Sequence, residues 1–400
     1  MPAKPSILVQ STSFLMLSLC LNIPTACFKT ANACPFCPAA SLTYSEQIAG
    51  ADFAVIAIWT DGTPPDTNLE SSGTTLLRFQ TSVKETNSAL TSKPDISLSQ
   101  YRPAKTGQRF LVFGKQSEGE IEWTSCQELS SECEKYLSQA PSPSESSSVR
   151  LTYYMQYLEH SQQSIAIDAY SEFANASYEE VAALSELMPR EQIRIWLETA
   201  DENPDREIRI GLYGLMLGLC GNQSDADFLK AEIFNSKDSR LGFNGLVAGY
   251  LVLAGRPGME FIRNQILTSP QADLNQRFAV MEALRFLWTY EQNPAPKSEL
   301  IKTMRTMLTD SRLTALAIID LARWQDWDSV ERIASLYNRA GYDDPNTKKT
   351  IIRYLYLASL AKSDGDDSSP SAQKAADALT AIGQQDPEIV DQAKKYLFLE

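Results

Sequence analysis

The sequence has a single histidine, His160, among its 400 residues. A zinc site of the two-histidine type cannot form with one histidine, and a serine or cysteine triad would lack its ordinary base. His160 follows Glu159 near a predicted helix end, where an exposed or helix-capping role is the simplest interpretation. The sequence also lacks a glycine-rich loop of the phosphate-binding type. We therefore expect a protein that is not an enzyme and that needs neither a metal nor a cofactor.

Positive charge is scarce as well. Lysine and arginine number 36 against 50 aspartate and glutamate residues, which gives a net charge of −14. Such a surface repels nucleic acids and anionic lipids at long range, so we expect neither as a partner. Acidic pairs such as Glu179-Glu180, Asp343-Asp344 and Asp366-Asp367 could serve catalysis or calcium binding, but solvated faces and helix caps are simpler roles.

No apolar run near the N-terminus is long enough to cross a membrane. The run Phe14–Ile23 has about ten residues, the length of the apolar part of a secretory signal. Lys4 is the one charge before it. Ala31-Asn32-Ala33 provides the small residues of a cleavage site. Residues 1–33 are thus predicted to be a signal peptide, which makes the protein secreted or periplasmic. A docked N-terminal segment, and a lipid-modified Cys34, are the alternatives.

Five cysteines lie after the predicted cleavage site, and four of them form two close pairs. Cys34 with Cys37 and Cys126 with Cys133 predict two disulfides in an oxidising compartment. Four cysteines allow three pairings. Bridges between the N-terminal pair and the later pair are favoured, because they would close the longest loops. Cys220 is predicted to be a buried free thiol.

The cysteines have two alternative interpretations. Cys34-Pro-Phe-Cys37 has the spacing of a thiol-disulfide redox centre, although a helix normally begins at the first cysteine of such centres. The four cysteines could instead hold zinc, but six residues separate Cys126 from Cys133, which fits such a site poorly.

The first part of the mature chain is predicted to be a β domain. Residues 52–59, 77–84, 106–114 and 120–123 have the composition or the alternation of strands, and residues 128–137 have helical propensity. Leu77, Phe79, Thr81 and Val83 should face one way. We expect few helices before residue 128, a loose polar stretch over 88–105, and a five-stranded closed barrel of about a hundred residues.

Four segments of this region resemble the netrin-like module over residues 34–138. They are Cys34-Pro-Phe-Cys37, Ala51-Asp-Phe-Ala-Val-Ile-Ala57, Thr106-Gly-Gln-Arg-Phe-Leu-Val-Phe-Gly114 and Trp123-Thr-Ser-Cys126. The module is an OB-type barrel shared by netrins and tissue inhibitors of metalloproteinases. In those inhibitors the N-terminal cysteine chelates the zinc of the target enzyme. The resemblance thus implies an OB-type fold and, as an alternative function, protease inhibition through Cys34. The inhibitors place one residue between their first two cysteines, whereas this chain has two.

Residues 139–149 are rich in serine and proline and are predicted to be an exposed linker. A helical pattern begins directly after it and continues to residue 400. Ser177-Tyr-Glu-Glu180 is a capping box that predicts a helix through Leu187. The chain is thus predicted to contain two domains, a β-barrel over 34–138 and an all-α domain over 150–400.

A helical pattern recurs in the all-α domain with a period of about 36 residues. Its five register positions are Arg206, Arg240, Arg277, Arg312 and Lys348. Residues 3, 6, 7 and 10 positions after each one are apolar or aromatic, with the exception of Arg209. This spacing buries one helix face against a neighbour. A second helix follows in each unit, so the units resemble HEAT-type repeats, and the fold is predicted to be an α-solenoid.

Four aromatic residues, Trp288, Tyr290, Trp324 and Trp327, recur near the ends of first helices, where packing between units is their simplest role. We expect a secreted or periplasmic binding or scaffold protein that uses its repeat surface to hold an unidentified protein. No small-molecule substrate is expected. The alternatives are the protease inhibitor described above and a thiol-disulfide oxidoreductase that uses Cys34 and Cys37.

Overall fold

A computed structural model describes residues 34, 36, 37, 41–66, 72–85, 95–235, 240–290, 296–361 and 369–395. These residues belong to one compact unit. Its N-terminal part contains a five-stranded antiparallel sheet, and its C-terminal part consists of α-helices. The predicted order of a β region followed by a helical region is confirmed. The predicted signal peptide lies outside the described residues.

The strands are β1 (Phe53–Thr63), β2 (Thr74–Glu85), β3 (Asp95–Leu98), β4 (Arg109–Ser117) and β5 (Glu120–Glu128), in the spatial order β3-β2-β1-β4-β5. The central strand, β1, runs antiparallel to both β2 and β4. Glu118 and Gly119 connect β4 to β5 and have φ angles of 48° and 92°. Two consecutive residues with positive φ are typical of a tight hairpin whose twist matches its strands.

Alternate residues of β1 face two different cores. Ala54 and Ile56 belong to a large core that the sheet shares with the helices, and Val55 and Ala57 belong to a smaller core. All five strands contribute to the smaller core, through Val55, Ala57, Leu77, Ile96, Leu98, Phe110, Val112 and Cys126. Burial on both faces explains why residues 53–57 are a continuous apolar run.

The sheet is open, which differs from the predicted closed barrel. Among the described strands, β3 is hydrogen-bonded to β2 alone and β5 to β4 alone. β3 lies close to β5, but its four residues pair only with Thr75–Arg78 of β2. β3 also falls within the stretch that we expected to be loose. Its sequence has only two apolar residues, Ile96 and Leu98, which is too short a pattern to detect.

The described residues form sixteen α-helices. They are α1 (Tyr44–Gly50), α2 (Ser131–Gln139), α3 (Ser147–Met155), α4 (Gln163–Ala174), α5 (Tyr178–Ala182), α6 (Arg190–Glu198), α7 (Ile210–Cys220), α8 (Gln223–Asn235), α9 (Phe243–Ile262), α10 (Leu274–Tyr290), α11 (Lys297–Thr306), α12 (Ser311–Arg323), α13 (Val330–Ala334), α14 (Pro345–Ser359), α15 (Pro370–Gln385) and α16 (Pro387–Lys395). The capping box at Ser177 is formed as predicted, although α5 ends at Ala182 and a 3₁₀ turn follows at Ser185–Leu187.

The helices after α6 lie in two rows. The first-helix row places α7 against α9, α9 against α10, α10 against α12, α12 against α14 and α14 against α16. Beside this row, α8 and α11 contact α9, and α13 contacts α15; we call α8, the second half of α9, α11, α13 and α15 the second-helix row. α9 belongs to both rows because its backbone breaks at Gly255, where φ is 52° and ψ is −132°. Gly255 therefore turns the chain from the first-helix row into the second.

The apolar face predicted for the first helices is buried in four of the five units. In the fourth unit, Ala315 and Ile319 are only half-buried. The buried residues there lie one position earlier, at Thr314, Ala317, Ile318 and Leu321. The register position of this unit is therefore Ser311. Arg312 is outside the register, and its side chain is exposed.

α7 and α9 approach each other through glycines. A Cβ atom on Gly249 would lie 1.9 Å from the carbonyl oxygen of Gly214, and one on Gly245 would lie 2.1 Å from that of Gly211. Real Cβ atoms do not come so close to backbone, so a larger residue would push the two helices apart.

We predict that Gly249→Ala lowers the free energy of unfolding by about 1–3 kcal/mol or more, because the added methyl group overpacks the contact between the helices. Gly383→Ala, in the last turn of α15, is the matched control. Apart from its chain neighbours and the backbone of its own helix, no described atom lies within 4 Å of the position of its Cβ, so it should raise stability by about 0.5–1 kcal/mol. Urea unfolding followed by circular dichroism measures both. Equal stability of Gly249→Ala and the wild type would contradict the close approach.

Candidate functional site

The five predicted register residues all contact carboxylates. Arg206 pairs with Glu159, Arg240 with Glu232 and Asp201, Arg277 and Arg312 with Asp310, and Lys348 with Asp386. Hydrogen bonds from Arg312 and Arg277 hold the pKa of Asp310 well below its usual range. The five basic side chains are thus engaged in ion pairs within the protein.

Glu159 is the centre of a larger polar network. Its carboxylate accepts hydrogen bonds from Arg206, from Arg209 at 2.7 Å and from Tyr213 at 2.7 Å. Arg209 is buried and also donates to the carbonyl oxygens of Leu158 and, at 2.9 Å, Asp205. A buried charge is tolerated only when it is paired in this way. This pairing explains why arginine occupies an otherwise apolar position of the repeat.

The cysteines are not paired as we favoured. Cys34 is bonded to Cys37, and Cys126, Cys133 and Cys220 are free thiols. Cys126 belongs to the smaller core, whereas Cys34 and Cys133 belong to the large core on the other face of the sheet. A disulfide requires Cα atoms about 4.4–6.8 Å apart, and the sheet keeps Cys126 away from the N-terminal pair. Cys220 is a free thiol as predicted, and it is half-buried.

The short turn that contains the disulfide is anchored among the helices. The backbone N–H of Cys34 donates to the carbonyl oxygen of Ala174 at 3.0 Å, and Cys34 is only 5% exposed. The ring of Phe36 is also buried and packs edge-on against Phe286, with centroids 4.8 Å apart. The turn therefore fastens the start of the described chain to α4 and α10.

Other residues considered as sites have structural partners. Nδ1 of His160 accepts a hydrogen bond from the Gln162 N–H at 3.1 Å. Asp344 is the N-cap of α14, and Glu180 completes the capping box of α5. Trp288 stacks on Trp324 with centroids 4.5 Å apart, so this pair packs α10 against α12. Asp366 and Asp367 lie outside the described residues.

A cavity of about 420 Å³ lies where α1 and the end of β2 meet α2, α3 and α4, and we call it the junction cavity. Its wall is mainly apolar and includes Ile48, Ala49, Val83, Leu137, Pro141 and Tyr154. Pro141 belongs to the predicted linker, 139–149. This segment is mostly exposed, yet the helices on both sides of it enter the same large core. A cavity of this size with a few convergent polar groups is typical of a ligand site.

Asp168, on α4, is a buried residue that lines the junction cavity. Its Oδ1 accepts the backbone N–H of Tyr44 at 2.6 Å, and its Oδ2 accepts the hydroxyl of Tyr136 at 2.6 Å. Burial raises the pKa of Asp168 to about 6, although the bonds from Tyr136 and Tyr44 favour the charged form. One carboxylate thus joins α1 and α2 to α4.

A second candidate surface lies in the second-helix row, and we call it the second-row groove. It has a volume of about 470 Å³ and is lined by Ile233, Phe234, Phe261, Gln265, Ile266 and Gln276, among others. Phe234 is 65% exposed, and the ammonium of Lys230 lies 4.7 Å from the centroid of the Phe261 ring. Gln265 and Ile266 belong to a π-helical turn, Arg263–Leu267, a feature that is frequent at functional sites.

No group of three or more histidine, cysteine, aspartate or glutamate side chains in the described ranges is placed to hold a metal ion. None of the described helices is long and apolar enough to cross a membrane. No protein-family model, curated protein or solved structure matches the chain.

Sequence reasoning missed both α1 and Asp168. The sequence does carry a signal for α1: Thr43 and Glu46 form a capping box, with bonds of 3.1 Å and 2.9 Å. Asp168 interrupts the apolar sequence Ile165-Ala-Ile-Asp-Ala169, and a carboxylate among core residues indicates a buried polar contact. Neither signal reveals which elements meet at the cavity, because its walls come from distant parts of the chain.

We predict that the contribution of Asp168 to the free energy of unfolding decreases as the pH rises. Its pKa is raised from 3.8 in an ordinary carboxyl to about 6 in the folded protein, so the folded state binds this proton more tightly than the unfolded state does. Its contribution is most favourable below about pH 4 and falls by up to about 3 kcal/mol as the pH rises through about 6.

The difference between wild type and Asp168→Asn isolates this contribution from other carboxyls. Urea unfolding of both proteins from pH 4 to pH 7 should show a wild-type free energy that declines relative to that of the variant. Parallel pH profiles would mean that Asp168 titrates normally.

Proposed function

We propose that the protein is an exported, non-enzymatic binding or scaffold protein that holds another protein against its helical repeats. The observation that carries this proposal is the second-row groove, where an exposed phenylalanine lies beside a half-buried one. Phe234 is 65% exposed and therefore contributes little to the stability of the isolated chain. A partner that covers Phe234 would remove its apolar surface from water.

The organisation of the two rows supports this assignment. The first helices bury their recurring apolar faces in the large core. The second helices have residues that are exposed to solvent along their row. A row of stacked helix pairs of this kind agrees with a HEAT-like solenoid, and such solenoids bind partners along their extended surfaces.

For the N-terminal part, we propose a partly open OB-type barrel of the netrin-like kind. All five strands supply side chains to the smaller core, and β3 lies near β5. A sheet that buries one face within itself must curve around that face. The disulfide between Cys34 and Cys37 supports export, because disulfides persist in oxidising compartments. We therefore retain the secreted or periplasmic location, with signal cleavage after Ala33.

The two alternative functions gain no support from Cys34. Chelation of a protease zinc needs an accessible N-terminal group, whereas this residue is buried and its nitrogen donates to Ala174. A redox centre needs a thiolate stabilised by a helix N-terminus, whereas Cys34 and Cys37 lie in a short turn. A structural disulfide is the simpler role for both residues.

The test is recovery of a partner by the variant Phe234→Asp. Wild-type protein, added to the native envelope or secreted fraction and cross-linked, should recover a partner protein. Phe234→Asp should lower that recovery at least tenfold, since burial of a phenylalanine contributes about 2–3 kcal/mol to an interface. Fold is checked by circular dichroism, and an exposed position should tolerate the change.

Leu187→Asp is the matched control. Leu187 is 58% exposed, similar to Phe234, and it lies in the 3₁₀ turn after α5, outside the groove. This variant should recover the partner as the wild type does. Equal recovery by all three proteins, or recovery at background by the wild type, would contradict the proposal.

A further inference from the structure

The junction cavity contains a cation with no carboxylate partner among the described residues. Lys84, at the end of β2, donates from Nζ to the carbonyl oxygens of Ala49 at 2.8 Å and Ala51 at 2.7 Å. These carbonyls belong to the end of α1, so the two bonds hold the ammonium at the cavity wall. An ammonium has three N–H donors, and the third is left for a further acceptor.

The negative charge in the same cavity is already satisfied. Asp168 accepts one hydrogen bond on each carboxylate oxygen, from Tyr44 and Tyr136. Asp168 therefore holds α1 and α2 in position at the cavity wall, and it forms no ion pair with Lys84. Burial also raises its pKa to about 6, so part of the population carries a neutral carboxyl in mildly acidic solution. The cavity wall thus offers one positive charge, held by backbone carbonyls, and one buried acid whose oxygens already accept hydrogen bonds.

The wall also provides a hydroxyl pair. The Oγ of Ser45 and the hydroxyl of Tyr154 lie 3.1 Å apart, and either can donate to the other. Two hydroxyl groups carry two protons, and their mutual bond uses one. The second proton can be donated to an acceptor inside the cavity. The remaining wall, which includes Ile48, Val83 and Leu137, can bury an apolar group.

We propose that the junction cavity binds a small amphiphilic anion. Its apolar body packs against the wall, and its carboxylate or similar group accepts hydrogen bonds from Lys84 Nζ. The chain's net charge of −14 repels anions at long range. Selectivity for an anion must then arise at contact, where the half-exposed ammonium of Lys84 and an anion can form a charge-assisted hydrogen bond. The junction cavity and the second-row groove share no lining residue.

Calorimetric titration of the full chain with three probes of one chain length tests the proposal: decanoate and decyltrimethylammonium below their micelle concentrations, and decanol below its solubility limit. Decanoate should bind one-to-one and at least tenfold more tightly than decanol, and the cation should not bind. Lys84→Gln should weaken decanoate at least tenfold and leave decanol within twofold. Lys115→Gln, an exposed lysine in β4, is the matched control and should bind as the wild type does.

Lys84→Gln removes two hydrogen bonds to the end of α1 and could unfold this helix. Ala49→Trp therefore provides a second test. Ala49 is an exposed residue that lines the cavity. The indole ring that Ala49→Trp introduces should fill the space of the cavity. This variant should weaken decanoate and decanol alike, with the circular dichroism of the wild type. The proposal is overturned if decanoate shows no saturable binding, if decanol or the cation binds more tightly, or if folded Lys84→Gln and Ala49→Trp bind as the wild type does.

Discussion

The large hydrophobic core that the sheet shares with the helices is the constraint on which the rest of the structure depends. Ile56, Leu111 and Phe113 are buried on the helical side of the sheet, and their burial contributes about 5–9 kcal/mol. Such an amount is comparable to the whole stability of many domains, about 5–15 kcal/mol. The two hydrogen bonds of Asp168 fix the orientation of α1 and α2 relative to α4 within this core.

Charge pairing completes the packing of the helical rows in an acidic chain. Arg190 bonds to Asp225 at 2.6 Å and Arg285 to Asp320 at 2.8 Å, and both carboxylates are buried. Each such pair joins different helices, so a carboxylate that loses its arginine would be left uncompensated. Most of the arginines are thereby engaged internally. The junction cavity differs from these sites, because Lys84 is held there by backbone carbonyls instead.

The helical region and most of its buried helix faces could be predicted because the signal is local: residues three to four positions apart share a helix face. Arg312 was wrongly assigned as a register residue. In the sequence, a basic residue one position after the register residue, here Ser311, cannot be distinguished from the register residue itself. Disulfide pairing could not be predicted, because it depends on which face of the sheet a cysteine occupies. The junction cavity could not be predicted, because its walls come from distant parts of the chain. Cys126 and Cys133 are seven positions apart in sequence yet belong to different cores.

Native-state hydrogen exchange in increasing urea tests the shared core most directly. If the sheet and the helices are stabilised by one core, the slowest amides of β1 and of α7 should exchange through one opening. They should then have the same free energy and the same urea dependence. The contradictory result is a β1 that exchanges at a distinctly lower free energy and with a smaller urea dependence than α7. It would mean that the sheet unfolds while the helical rows stay intact.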